Sequence, residues 1–435
     1  MSLLLNLLGP RRGFDGGLFL PDHKAITARR LSETLAVSVP MHIPLQVRQD
    51  LATSSLVKPG ERVLRGQRLS QPTSTDSVPV HAPTSGTITR LDRVWTAHDG
   101  YLPCAILEPD GQDEAYHHAW DWGDESFIAQ LAEHGVVGPQ PRGPAHVVIR
   151  QATAAGVTDL IVNGMETEPY LTADLRTIVE QPGRIVDATC EIADALGVRR
   201  VILAIPYRHR RVTRRIESEA MGRFVEVVPL ASCYPQCHPT ILIKTLLDRE
   251  VPPGGTGLDV GAVVLPLALV RSAADAIFDN RPMTHTLLTI AGDAITRPGT
   301  YRVPIGTPIA HLAERLGDSG EMARVISGGP LTGTAFSRGD SVVSADMTAL
   351  LFFSGADWRS PIPCIHCGWC VEDCPIGLDP PALVQLESQP SCAADAFAEL
   401  SACIGCGLCS YVCPAGLPLS QTIERTQRRF ASTKR

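Results

Sequence analysis

The sequence lacks a long apolar stretch and a leader-like N-terminus, and each absence excludes a class of protein. Crossing a bilayer as a helix takes about 20 consecutive apolar residues. The longest apolar run, 262–270, is interrupted by Pro266 and ends at Arg271. The apolar N-terminus, Met1–Leu8, is shorter than the apolar core and cleavage site of a secretory signal. We therefore expect a soluble chain that is not exported.

The sequence also lacks an excess of positive charge, which argues against a nucleic-acid partner. It has 46 Asp and Glu residues against 39 Lys and Arg residues, for a net charge of −7, whereas nucleic-acid-binding proteins usually carry a basic face. Two local basic groups remain, and each is either solvated surface or a contact for an anionic membrane or an acidic redox partner. They are Arg208, Arg210, Arg211, Arg214 and Arg215 on a predicted helix, and a basic tail at residues 421–435.

The chain is too long for one hydrophobic core, and its cysteines are unevenly distributed. Its 435 residues suggest roughly three or four domains. In a chain without a secretory signal, 13 cysteines indicate metal or redox chemistry more often than disulfides. Eight of them form two tight groups after residue 360. The other five are expected to be buried as small hydrophobic residues; they are Cys104, Cys190, Cys233, Cys237 and Cys392.

The first segment, residues 1–115, reads as short strands separated by glycines. Residues 57–69 read V-K-P-G-E-R-V-L-R-G-Q-R-L, and residues 80–88 read V-H-A-P-T-S-G-T-I. The two stretches resemble the barrel-sandwich fold of lipoyl and biotinyl carriers, and they predict a small β-sandwich. A carrier modifies a Lys in the hairpin between these motifs, and residues 70–85 contain none. We therefore expect the barrel-sandwich fold at residues 1–115 but no function as a lipoyl or biotinyl carrier.

The middle of the chain predicts a multidomain protein that combines α/β and α+β parts. From residue 120 to 265, helical and strand patterns alternate, which is typical of a Rossmann-like α/β domain with a parallel sheet. Residues 271–351, with short strands and a Gly328-Gly329 turn, predict a small β-grasp-like module. The main predicted elements are strands at 159–163, 201–205, 224–228, 260–265 and 286–291 and a helix at 184–196.

The two cysteine groups share the spacing C-x2-C-x2-C-x3-C, and a proline follows each of them. A [4Fe-4S] cluster takes three thiolates from one tight loop, and in two-cluster proteins the fourth comes from the other motif. We therefore predict two [4Fe-4S] clusters that exchange their fourth ligands. Cluster one is assigned to Cys364, Cys367, Cys370 and Cys413, and cluster two to Cys403, Cys406, Cys409 and Cys374.

Zinc is the alternative metal, because C-x2-C pairs also bind it. Zinc motifs use two cysteine pairs, however, and this chain has two identical runs of four cysteines, each ending in Cys-Pro. The residues between the two runs look helical, with predicted helices at 381–386 and 393–400. We therefore predict an α-helical ferredoxin domain at residues 357–420, entered through a proline-bearing linker at Asp357–Pro363.

An acidic loop follows the predicted strand at 159–163. It begins at Asn163 and contains Glu166, Glu168 and Tyr170 in the stretch N-G-M-E-T-E-P-Y. The carboxyl end of a strand is where open α/β sheets bind ligands. The alternative is an ordinary solvated loop. The four residues are therefore candidates for binding a ligand.

Several short motifs, in order along nearly the whole chain, resemble those of the C subunit of the Rnf-type ion-translocating electron transport complex. That family's central domain is similar to the flavin-bearing, NADH-oxidising subunit of respiratory complex I. The matching motifs are Phe14-x-Gly16-Gly17 with Pro21 and Lys24, Tyr234-Pro235-Gln236, Gly306-Thr307-Pro308 and Gly328-Gly329-Pro330-Leu331, besides the acidic loop and the cysteines.

The resemblance implies an FMN and NADH site built from a Gly-rich loop and the acidic loop, but the Gly-rich loop differs here. Residues 138–145 read G-P-Q-P-R-G-P-A, and the lysines that the family places nearby fall at Ile149 and Thr240. Pro139 and Pro141 remove amide donors that would bind phosphate. We therefore expect weak or no binding of NADH and no retained FMN.

The sequence as a whole predicts an electron-transfer iron–sulfur subunit of a membrane-bound Rnf-like oxidoreductase complex. The expected place is the cytoplasmic face of the inner membrane, held peripherally by the other subunits, with ferredoxin or a similar carrier as redox partner. Three alternatives stay open: an FMN-bearing NADH dehydrogenase subunit of the same complex, a soluble ferredoxin-linked oxidoreductase, and a scaffold without redox activity. Whether the chain is itself an enzyme is left open.

Overall fold

The computed structural model describes residues 14–117, 126–139, 142–318, 320, 322–336, 341–355, 360–389 and 394–433. Gln140, Pro141, Cys392, residues 357–359 of the predicted linker and the apolar N-terminus lie outside the described residues. Within them the chain is a mixed α/β protein with several sheets and several hydrophobic cores.

The N-terminal part is an antiparallel sandwich of two small sheets. A four-stranded sheet has the order β2-β7-β6-β4, and β3 pairs with β5. Gly86 allows the tight pairing of β6 and β7, because a Cβ there would lie 2.1 Å from the carbonyl oxygen of Glu108. The strands are β1 (Glu33–Thr34), β2 (Met41–Pro44), β3 (Thr53–Ser55), β4 (Arg62–Val63), β5 (Ser70–Pro72), β6 (Gly86–Thr96) and β7 (Gly100–Pro109).

The central part is a parallel sheet of order β12-β11-β10-β13, covered on both faces. Alternate residues of one strand enter opposite cores: Leu160 and Val162 lie in one, and Ile161 lies in the other. The elements are α1 (Phe127–Glu133), β8 (Val137–Pro139), β9 (Arg142–Pro144), α2 (Ala145–Ala154), β10 (Asp159–Asn163), α3 (Ala173–Glu180), α4 (Pro182–Leu196), β11 (Arg200–Pro206), α5 (Arg210–Ala220), β12 (Glu226–Leu230), α6 (Pro239–Leu247), β13 (Ala262–Pro266) and α7 (Leu267–Asp279).

The predicted strands of this sheet are present, with shifted ends in three of the four. β10 has the predicted bounds, and β11 is one residue longer at each end. β12 begins at Glu226 instead of 224, because Phe224 lies in a turn and is 60% exposed. The predicted arginine helix corresponds to α5, which begins at Arg210. Arg208 precedes this helix and forms an ion pair with Asp22.

A six-stranded mixed sheet of order β1-β15-β14-β18-β16-β17 follows. β14 pairs antiparallel with β15 and parallel with β18, and the N-terminal β1 joins the edge beside β15. Its elements are β14 (His285–Ala291), β15 (Gly299–Pro304), α8 (Ile309–Leu316), β16 (Arg324–Ser327), β17 (Thr334–Phe336) and β18 (Ala349–Phe353).

The cysteine-rich end is helical, and its two motifs have the same local structure. Each motif places a four-residue helix after a glycine with positive φ, at Gly368 (82°) and Gly407 (78°). The segments also pair with each other, since the amide of Ile362 donates to the carbonyl of Ala415 at 3.0 Å. The helices are α9 (Trp369–Glu372), α10 (Pro380–Gln385), α11 (Ala394–Ala402), α12 (Leu408–Tyr411) and α13 (Leu419–Thr433).

The basic end of the chain, predicted as a tail at residues 421–435, is a packed helix over its described part. Ile423 and Phe430 of α13 lie in the core of the cysteine-rich part together with Leu383 and Leu400. The helix is amphipathic, so its arginines lie opposite the apolar face that it buries. Arg425, for example, pairs with Glu387 at 2.8 Å.

Candidate functional site

A cavity of about 420 Å³ lies at the carboxyl ends of β10 and β13, where the central sheet, the six-stranded sheet and the cysteine-rich part meet. The parallel strands end there with Asn163 and Pro266, the residues that connect them to the loops of the cavity wall. The second cysteine motif reaches the same wall through Cys406. The topology thus brings the predicted acidic loop and a predicted cluster ligand to one site.

Glu166 of the acidic loop binds the start of helix α3. Its two carboxylate oxygens accept hydrogen bonds from the amides of Asp174 and Leu175, both at 2.9 Å. These amides have no partner within the helix, and a negative charge near them is favourable. Burial raises the pKa of Glu166, while Lys24 and the amides act in the opposite direction. The Lys24 ammonium also donates to the backbone carbonyl of Glu166.

Glu168 joins the central sheet to the Gly-Gly-Pro-Leu loop. Its carboxylate accepts hydrogen bonds from the amides of Leu331 at 2.9 Å and Thr332 at 3.3 Å, and from the Thr332 hydroxyl. A Cβ on Gly329 would lie 2.0 Å from this carboxylate, so a side chain there would displace the Glu168 carboxylate from the loop. Glu168 is 7% exposed, and burial raises its pKa, although the hydrogen bonds from Leu331 and Thr332 act in the opposite direction.

Asn163 and Tyr170, the other two predicted cofactor residues, are also held by the protein itself. The Asn163 amide nitrogen donates to the carbonyl of Cys237 at 2.8 Å, and its oxygen accepts from the amide of Met165 at 3.1 Å. Tyr170 stacks on His23 with ring centroids 4.9 Å apart. The structure therefore places three of the four predicted residues at the cavity wall, with Tyr170 outside it, and gives all four intramolecular partners.

The segment in the position of the Gly-rich loop forms a β-hairpin over its described residues. Pro139 of β8 faces Arg142 of β9. The Arg142 guanidinium binds Asp346 at 2.6 Å and also binds Asp99, and these two carboxylates raise its pKa although burial opposes this. Ile149, at the position for which the resemblance implies a Lys, is 1% exposed in the core.

Sequence reasoning missed several residues of the cavity wall. Tyr234 is 1% exposed, and its hydroxyl donates to the backbone carbonyl of Cys406 at 2.6 Å. Cys237, predicted as a buried small residue, lies at the wall, and burial raises its pKa to about 11. Next to it, burial lowers the pKa of His238 to about 4. The Tyr-Pro-Gln block was the only signal for this group in the sequence.

The thiols predicted for cluster one lie near one another. Burial raises the pKa of Cys370, and the charges of Cys367, Cys413 and Cys364 are near enough to add to the rise. The amide of His366 donates to the Cys364 sulfur at 3.4 Å. Cys413 therefore lies beside the thiols of the other motif.

The thiols predicted for cluster two form a second group. Cys374, Cys403, Cys406 and Cys409 line one small apolar cavity together with Leu378 and Leu383. Burial raises the pKa of Cys406 to about 12, with a further contribution from Cys409, Cys403 and Cys374. The amide of Leu378 donates to the Cys374 sulfur at 3.4 Å, a hydrogen bond of the kind that iron–sulfur sites make to their sulfurs.

The donor set of each group fits a cubane cluster, which binds four thiolates through four different irons. No three His, Cys, Asp or Glu side chains of the described residues converge on a point that could hold a single metal ion. The ligation of the clusters, with Cys374 and Cys413 exchanged between the motifs, stays a prediction.

Comparison with known proteins gives matches along most of the chain. Residues 12–112 match the RnfC barrel sandwich hybrid domain, residues 131–270 the Nuo51 FMN-binding domain, and residues 363–418 a 4Fe-4S dicluster domain. A solved NAD+-reducing [NiFe]-hydrogenase in the H2-reduced state is 17% identical with a TM-score of 0.46, over 63% of this chain and 52% of that one. The domain matches define the class: an iron–sulfur electron-transfer protein with a flavoprotein-type α/β domain.

Two relatives then identify the family. The C subunit of the ion-translocating oxidoreductase complex of Rhodobacter capsulatus is 31% identical over 394 residues, which are 87% of this chain and 76% of that protein. The C subunit of the proton-translocating ferredoxin:NAD(+) oxidoreductase complex of Clostridium ljungdahlii is 30% identical over 86% of this chain and 84% of that protein. The chain belongs to the RnfC family, the C subunits of ion-translocating, Rnf-type oxidoreductase complexes. The predicted family and the role as an electron-transfer subunit of such a complex are confirmed.

Proposed function

We propose that the chain passes electrons through two [4Fe-4S] clusters held by the exchanged ligand sets. Cluster one takes Cys364, Cys367, Cys370 and Cys413, and cluster two takes Cys403, Cys406, Cys409 and Cys374. The grouping of the eight thiols supports this assignment. Because each cluster would draw a ligand from both motifs, the two motifs would fold as one unit with the clusters side by side.

The proposed division of the chain adjusts the predicted domain bounds to the packing. The parts are a lipoyl-like sandwich at 1–115, a Rossmann-like domain from 120, a β-grasp-like module and a helical ferredoxin domain from 357. The second boundary moves from 265–271 to about residue 280, since Val270, Ala273 and Ala276 of α7 lie in the central core. The ferredoxin domain extends through α13 because Phe430 packs in its core.

We infer that the large cavity does not serve as a tight FMN or NADH site. Among its described lining residues, the acidic side chains Glu166, Glu168, Asp174 and Asp346 outnumber the single guanidinium of Arg142. That guanidinium already binds two carboxylates. A phosphate or pyrophosphate needs several converging amide or cationic donors, and the described part of the hairpin does not supply them.

Titration with NADH after anaerobic reconstitution with iron, sulfide and FMN tests this inference. The expected result is no flavin on the protein after gel filtration and no NADH binding in the micromolar range. The Nuo51 match at residues 131–270 makes the opposite result informative. Micromolar binding with bleaching of the flavin band would show that the chain is the NADH-oxidising subunit of its complex.

The proposed place of the chain is the cytoplasmic face of the inner membrane, with the other subunits of the complex and ferredoxin or a similar carrier as partners. No helix among the described residues is long and apolar enough to cross a membrane. Attachment through protein contacts and the basic helix α5 is weakened by salt. High salt should therefore release the chain from host membranes, and release by detergent alone would contradict this mode of attachment.

A further inference from the structure

The two cysteine motifs have the same local fold but different surroundings, and the difference marks a surface. Every residue from Pro361 to Trp369 in the first motif is exposed, including Cys364 and Cys367. In the second motif, Gly407 and Leu408 are buried. A Cβ on Gly407 would lie 2.7 Å from the carbonyl oxygen of Leu331, so this motif packs directly on the body of the protein.

Large apolar side chains are exposed along the first motif, and Tyr411 of the second motif is exposed close to Cys413, the proposed ligand of cluster one. Trp369 and Leu408 occupy the same position of the repeat, yet Trp369 is 53% exposed and Leu408 is 0% exposed. All members of the exposed group lie within two residues of a proposed ligand of cluster one. We name this group the apolar collar: Ile362, Ile365, Trp369, Val371 and Tyr411, exposed by 53%, 59%, 53%, 40% and 56%.

Scattered exposed hydrophobic residues are ordinary, whereas a group around one functional centre indicates a contact surface. The first motif itself carries acidic side chains and no cationic one. Residues 360–379 include the exposed Glu372 and Asp379 and the half-buried Asp373, but no Lys or Arg. A partner of this surface needs apolar side chains for the collar and cationic side chains at the rim.

We propose that the collar is the docking surface for a one-electron redox protein that presents an apolar patch edged by Lys or Arg. The inference rests on the proposed function, because it takes cluster one to lie beneath the collar. Electron-transfer complexes of this kind have small interfaces, below about 1,200 Å², which a collar of five side chains suits. The second motif packs against the cavity through Cys406, and between Cys403 and Cys413 Tyr411 is its one exposed large apolar residue.

Ferric cytochrome c, a basic one-electron acceptor with an exposed haem edge, is the probe. The reconstituted full chain is reduced with dithionite, freed of excess reductant and mixed with the probe in an anaerobic stopped-flow instrument. One electron leaves a reduced cluster, which is oxidised, and reduces the haem iron from Fe(III) to Fe(II); no atom or proton is transferred. The variant is the double substitution Ile365→Gln and Trp369→Gln. The control is Phe224→Gln, which changes an exposed aromatic residue of the central part (60% exposed).

The double variant should lower the second-order rate constant about tenfold, and the Phe224→Gln variant should leave it unchanged. Oxidation by hexaammineruthenium(III), which needs no docking surface, should be the same in all three proteins. Equal rates with cytochrome c, a fall that the small oxidant shares, or no reaction of the unchanged chain with cytochrome c would overturn the docking surface. A chain that binds no iron would contradict the proposed function and not the docking surface. The iron content and the electron paramagnetic resonance (EPR) spectrum of each variant therefore distinguish these two outcomes.

Discussion

The first and second cysteine motifs differ in what surrounds them far more than in what they are made of. Both consist of a tight loop, a glycine with positive φ and one helical turn. The first is open to solvent on its outer side. The second is held by Tyr234 at Cys406, by Leu331 at Gly407 and by the carbonyl of Ser401, which accepts from the amide of Gly254 at 3.1 Å. Identical cysteine spacing therefore occurs in two different surroundings.

The two motifs would form the two ends of the proposed electron path, and these ends differ. The inner end adjoins a cavity whose acidic residues have structural partners: Glu166 binds α3 within the central part, and Glu168 binds the loop that touches the second motif. The outer end has the exposed thiols and the apolar collar. An electron that enters at one end and leaves at the other would pass through both clusters in turn.

The largest expected effect comes from the exchanged ligands. Cys374→Ser should impair the cluster in the second motif, and Cys413→Ser the cluster in the first, each with the loss of about four irons from one cubane. Cys406→Ser and Cys367→Ser serve as references for the loss of cluster two and cluster one. The EPR spectrum of the Cys374 variant should match that of the Cys406 variant. A match with the Cys367 variant would show that each motif keeps its own fourth cysteine.

Matched substitutions at one repeat position test the difference in burial. Leu408→Ala should lower the free energy of unfolding of the iron–sulfur domain by about 2–5 kcal/mol, because it removes a fully buried side chain. Trp369→Ala should change it by less than about 0.5 kcal/mol, because the indole is half exposed. Urea unfolding followed by the cluster absorbance measures both. Similar losses in the two variants would mean that the collar is packed in solution.

A smaller effect is expected at the contact between Tyr234 and the second motif. Tyr234→Phe removes the hydrogen bond to the Cys406 carbonyl and should cost about 1 kcal/mol of stability. It should also lower the potential of cluster two, because a donor near the cluster favours the reduced form, by at most ~40 mV for a one-electron couple. Redox titration followed by EPR measures this shift. Cluster one, and the control Tyr101→Phe at an exposed ring, should show none.

Local patterns carried most of what the sequence predicted. The cysteine loops were predictable because spacing alone brings three thiolates together, and β10 was predictable from its continuous apolar run. The roles of Glu166 and Glu168 were not, since the partners of Glu168 lie 163 and 164 residues away in the chain. The difference in exposure between Trp369 and Leu408 could not be predicted either, because burial depends on neighbours from other domains. The packing of α13 was missed because its arginines were read without the apolar residues between them.

The most direct test of the two-cluster proposal is the iron, sulfide and zinc content of the anaerobically reconstituted chain. Two cubanes predict about eight irons and about eight acid-labile sulfides per chain, without zinc. The reduced protein should then show two interacting paramagnetic centres, because the exchanged ligands hold the clusters side by side. Four irons per chain, or zinc in place of iron, would contradict the central claim that electrons pass through two clusters.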